Sequence, residues 1–135
     1  MRKQFLRLGS ILGMLAVALG AFASHSLKGM LNAEALATFE IGVRYQFYHA
    51  LALLVVGVLS YVRKTKYLDV AGWLFFFGTL FFSGSLYLLS FKDIAFQFPT
   101  RVIGPITPFG GTLFIAGWFF LLLSSFQSVE RNSRS

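Results

Sequence analysis

The sequence predicts an all-α fold: an integral membrane four-helix bundle with both termini cytoplasmic. Three observations lead there. Long runs without a charged residue recur along the chain, each about the length needed to cross a bilayer. The composition is 56% hydrophobic and only 13% charged, with 17 Phe. Mean hydropathy is +0.71, more apolar than a soluble domain of 135 residues can bury. Finally, the cations collect at alternate ends of the apolar runs, as they do when they set membrane orientation.

The first span is expected at residues 6–23, behind the basic start Arg2, Lys3 and Arg7. Ala21-Phe-Ala23 has the small-x-small form of a secretory cleavage site. Counted from Leu6, however, the run is long enough to span, and a retained helix is the favoured reading. Gly9, Gly13, Ala16, Gly20 and Ser24 form a stripe of small residues on it, a surface that another helix can approach closely, with packing within the monomer as the favoured use. An interfacial connector is placed at 24–42. Asn32 caps a helix whose membrane-spanning part is 43–62, and Gly42 allows a bend. The basic turn Arg63-Lys-Thr-Lys66 follows, bracketed by Tyr61 and Tyr67. Asp69 is expected to cap the third span, 69–90. An outer loop, 91–107, carries Lys92, Asp93, Pro99, Arg101 and Pro105. The fourth span is 108–126, with Thr107 as cap and Pro108 in its first turn.

Lys and Arg at the N-terminus, at the 63–66 turn and in the tail outweigh those of the opposite connectors. There Lys28, Arg44, Lys92 and Arg101 are offset by Glu34, Glu40 and Asp93. Both termini are therefore expected on the cytoplasmic side. The net charge of +7 flanks apolar runs and forms no basic face interleaved with aromatics. It points to anionic lipid headgroups as partners and not to nucleic acid.

The polar stretch Glu40 to His49 runs directly into an apolar span. Ionisable side chains that enter a membrane helix are costly and usually face protein or water. Helical spacing places Glu40, Arg44 and Tyr48 in one row, with Tyr45 and His49 in the next and Gln46 just beyond. Arg44 falls at the outer boundary, and His49 lies about 8–10 Å deeper. His25, Ser83, Ser85, Tyr87 and the Thr107–Gly110 helix start fall on the same side. Two readings share these residues: a structural cluster that ties helices together, and a site for a small polar solute or an anionic headgroup.

The absence of cysteine excludes disulfides, thiolate metal sites and cysteine nucleophiles. The two histidines have no His-x-x-x-His or Glu-x-x-His spacing, so no metal and no cofactor is expected. No Gly-x-Ser-x-Gly elbow is present and no second acid lies at the depth of His49, which argues against an enzyme.

Four pieces of sequence carry a family resemblance: Gly20-Ala-Phe-Ala-Ser-His25, Tyr45-Gln-x-x-His49-Ala-Leu51, Ser83-Gly-Ser-x-Tyr87, and Ile106-Thr-Pro-Phe-Gly-Gly111 with Trp118. Together they resemble the small bacterial membrane proteins grouped as domain of unknown function 423, relatives of eukaryotic transmembrane protein 256. In that family the first piece usually has a second glycine and an alanine before the histidine, where this chain has Ala23 and Ser24. The resemblance implies a multi-pass protein of the bacterial inner membrane and implies no reaction.

Joined to the reading of the residues, the expected function is ligand binding by a polar cluster in the outer half of the bundle. The candidate residues are His25, Arg44, Tyr45, Gln46, Tyr48, His49, Ser83, Tyr87, Thr107, Pro108 and Gly110. The alternative is a structural or assembly subunit that docks a membrane partner, or a second copy, through the small-residue stripe. An intramembrane enzyme is the least supported reading.

Overall fold

A computed structural model describes residues 2–92 and 100–127, and these are helical with no strands among them. Helix α1 is Arg2–His25, α2 is Ala33–Val62, α3 is Lys66–Ser90, α4 is the single turn Thr100–Ile103, and α5 is Ile106–Ser125. The described residues therefore hold four helices long and apolar enough to cross a membrane, with α4 continuing into the last of them. The expected positions of Asp93 and Pro99 in the outer loop, and the tail from residue 128, lie outside the described residues.

Local signals set the helix ends. Asn32 adopts an extended backbone, and its side chain accepts the Ala35 N–H at 2.8 Å, satisfying a donor that the first turn leaves free. From there α2 continues for 30 residues, about 45 Å. The second half of the expected connector is thus helix, and only residues 26–32 depart from it, as a 3-10 turn at Leu27–Gly29 and its flanks.

The helix is continuous through Gly42, and this glycine serves close approach. A Cβ there would sit 2.7 Å from Tyr87 Cε1. Thr65, not Asp69, caps α3 by accepting the Tyr67 N–H; Asp69 lies in the first turn, where its charge suits the helix N-terminus. Helix α5 starts behind Pro105, so Thr107 is inside the helix and does not cap it.

Consecutive long helices pack side by side, α1 on α2, α2 on α3 and α3 on α5. The small-residue stripe of α1 faces α2. A Cβ on Gly9 would meet the Ala50 carbonyl at 2.9 Å, Gly13 lies against Ala50 Cβ, and Gly20 lies against Val43. The expectation that this stripe docks a separate partner is corrected here, because α2 already covers it.

Two apolar cores form. One joins Phe5, Leu12, Ala50, Leu53, Val56, Leu68, Ala71 and Phe75 toward the 63–65 turn. The other joins Ala23, Leu27, Leu31 and Phe39 at the opposite end. The polar residues of α2 and α3 fall between them.

Candidate functional site

Gln46 is 4% exposed and links three helices. Its Nε2 donates to the Leu12 carbonyl of α1 at 2.9 Å, and its Oε1 accepts from the Tyr87 hydroxyl of α3 at 2.6 Å. Ser83 donates to the Gly42 carbonyl at 2.7 Å, a second tie between α2 and α3. The same close approach explains both contacts, since glycine at 42 brings the α2 backbone within reach of a short side chain.

On the far side of α3, Ser85 and Thr107 share a hydroxyl bond of 2.6 Å. Ser85 also donates to the Phe82 carbonyl. A serine hydroxyl has one proton to give, so Thr107 is the donor in the link between α3 and α5.

His49 is also 4% exposed, and its surroundings define its protonation state. Nδ1 lies 2.7 Å from the Tyr45 carbonyl, which can only accept, so Nδ1 carries the proton. Nε2 is met at 3.1 Å by the indole N–H of Trp118, which can only donate. The ring is therefore the neutral Nδ1–H tautomer with both nitrogens engaged by protein. Phe114 stacks on it at 3.5 Å between centroids and 7° between planes, and Phe75 lies 5.5 Å away. These contacts tie α2 to α5.

The candidate residues thus divide. Gln46, His49, Ser83, Tyr87 and Thr107 enter the layer, each paired with protein. Gly110 is buried and lets α5 lie directly on the Phe82 backbone of α3, where a side chain would collide. Tyr45 is partly exposed and packs its ring against Tyr48 and Phe82. His25, Arg44, Tyr48 and Pro108 are exposed and stand outside the layer. Trp118 was legible only as a motif position, and the Leu12 carbonyl is a backbone acceptor that no side-chain pattern announces.

Among the described residues no buried side-chain nitrogen or oxygen lacks a hydrogen-bond partner. Nor does any group of three His, Asp or Glu among them stand ready to hold a metal. The chemistry open to such a layer is interhelical locking, where each bond contributes about 0.6 kcal/mol on average.

Beside it, Ala16 and Val17 of α1 and Val43, Arg44, Phe47 and Tyr48 of α2 line an open groove of about 270 Å³. Its wall is apolar, and among the described residues Arg44 is its one cation.

Four apolar helices joined by a buried polar layer define an integral membrane protein of the small-bundle class. Residues 19–111 match the family described as Protein of unknown function (DUF423). The chain is 44% identical over 127 residues to a UPF0382 membrane protein of Staphylococcus haemolyticus, covering 94% of this chain and 98% of that one. It is 44% identical over 125 residues to a UPF0382 membrane protein of Staphylococcus saprophyticus, covering 93% and 98%. A UPF0382 membrane protein of Staphylococcus epidermidis is 42% identical over 125 residues, covering 93% and 97%. The chain belongs to this family of membrane proteins of unknown function. No solved structure matches it significantly.

Proposed function

We propose that the protein is a lipid-binding membrane protein that holds an anionic phospholipid on its outer-leaflet face, with an acyl chain in the α1–α2 groove and the headgroup phosphate on Arg44. The observation that carries this reading is the pairing of one exposed cation with an apolar groove. Val17 and Phe47 offer a hydrocarbon wall, while Arg44 supplies a charge that a neutral lipid does not need. A guanidinium at this boundary reaches the headgroup level by extending its stem along the helix. It can meet a phosphate with two parallel N–H bonds. Tyr48, one turn on, brings a phenol of the kind enriched at interfaces.

The buried layer fits this function as a frame and not as the binding site, since its donors and acceptors are already used within the protein. With both termini cytoplasmic by the balance of cations, as expected for an inner-membrane protein, Arg44 faces the outer leaflet. Native mass spectrometry in mixed micelles tests the proposal. Phosphatidylglycerol should be retained over phosphatidylcholine. Arg44→Gln should lower phosphatidylglycerol retention in the groove about fivefold, and Val17→Trp should remove the groove-bound lipid by filling its place. Retention unchanged in both variants contradicts the proposal.

A further inference from the structure

At the opposite end of the bundle, a second cavity of about 290 Å³ is lined by Arg2, Ser60, Arg63, Lys64, Thr65 and Asp69. It draws on the start of α1, the end of α2 and the first turn of α3, so the fold and not one sequence segment assembles it. Among the described residues, three cations face one carboxylate there. Two of the cations are held in place by neighbours. The Arg2 guanidinium sits 4.8 Å above the Tyr61 ring, and Arg63 Nη1 donates to the Ser124 carbonyl at the end of α5 at 3.1 Å. Each contact orients a guanidinium while leaving further N–H groups to donate. The Ser60 hydroxyl is spent on the Val56 carbonyl, while Thr65 accepts the Tyr67 N–H and keeps its own proton to give, so the cations and one hydroxyl carry the recognition chemistry.

The geometry points to a binding site for a phosphate-bearing group at this basic end, separate from the Arg44 groove and sharing no residue with it. Pre-oriented guanidiniums favour a planar, two-point contact with phosphate oxygens. Basic pockets between membrane helices at a surface are suited to phospholipid headgroups. Against these cations Asp69 is the single carboxylate among the described lining residues, so the cavity stays net positive, as an anion site requires. A phospholipid headgroup and a soluble phosphate share this chemistry.

The test uses the full chain carrying Arg44→Gln, so that the first groove does not contribute. It is measured in phosphatidylcholine micelles with added phosphatidylglycerol or with inorganic phosphate. Arg2→Gln with Lys64→Gln removes two cations without touching the Arg63 bond to Ser124. Phosphatidylglycerol retention that falls about 25-fold in this variant, taking about fivefold per cation, supports the site with a lipid as its source. A rise in thermal midpoint with inorganic phosphate, lost in the same variant, supports it with a soluble source. Equal responses with and without the two substitutions, or no response to either probe, overturn the proposal.

Discussion

Gln46→Leu isolates the polar layer from the apolar packing around it, because leucine has similar volume and no hydrogen-bonding group. Two interhelical bonds disappear, one to the Leu12 carbonyl and one from Tyr87. At about 0.6 kcal/mol each, this amounts to about 1 kcal/mol. The Tyr87 hydroxyl is left without its acceptor, which costs about 1–3 kcal/mol. The expected loss is therefore about 2–4 kcal/mol, with the orphaned hydroxyl as the larger part. Tyr87→Phe removes the orphan, so the double variant should be less destabilised than the sum of the two single changes, by about 1 kcal/mol or more. Reversible unfolding in mixed micelles, monitored by helical circular dichroism, gives the three values needed. Additivity within about 0.5 kcal/mol would refute the claim that these side chains form one buried unit.

The same logic extends to other contacts. Trp118→Phe keeps the aromatic surface and removes the donor to His49 Nε2, so stability should fall by about 1–3 kcal/mol in the same unfolding assay. Gly9→Leu should destabilise the monomer itself, since α2 lies against that position, whereas Gly29→Leu, with nothing within 4 Å, should change thermal stability little. The chain has no cysteine, so single cysteines introduced at Met30 and Lys64, both exposed, give clean labelling. A membrane-impermeant maleimide should reach them from opposite sides, with Lys64→Cys labelled only from the cytoplasm.

The helices were legible because bilayer-crossing segments must satisfy their backbone internally, which leaves long uncharged runs that composition reveals. Asn32 was legible as a cap because its side chain precedes Ala33 and Glu34 at the spacing a cap requires. Capping at Thr65 is hidden in the sequence because Lys66 and Tyr67 have the character of interface residues, while Asp69 offers a common capping side chain. Thr107 has the chemistry of a cap, but the helix begins one residue earlier, behind Pro105, and the threonine hydroxyl turns to Ser85 instead.

The polar residues that meet were partly readable. Gln46, His49, Ser83 and Tyr87 share a level by helical rise alone. Which of them face inward depends on helix rotation, and that is set by contacts such as Tyr87 on Gly42. Arg44 and Tyr48 lie on the same stretch as Gln46 and His49 but on its outer face. The layer and the groove are thus two sides of one helix.

A density map of the protein in nanodiscs with native lipids distinguishes the α1–α2 groove from the buried layer as the place where lipid binds. The expected result is elongated density along Val17 and Phe47 ending at the Arg44 guanidinium, with none among Gln46, His49 and Tyr87. Non-protein density bonded to a His49 nitrogen or to the Gln46 amide, with the groove left bare, would contradict it.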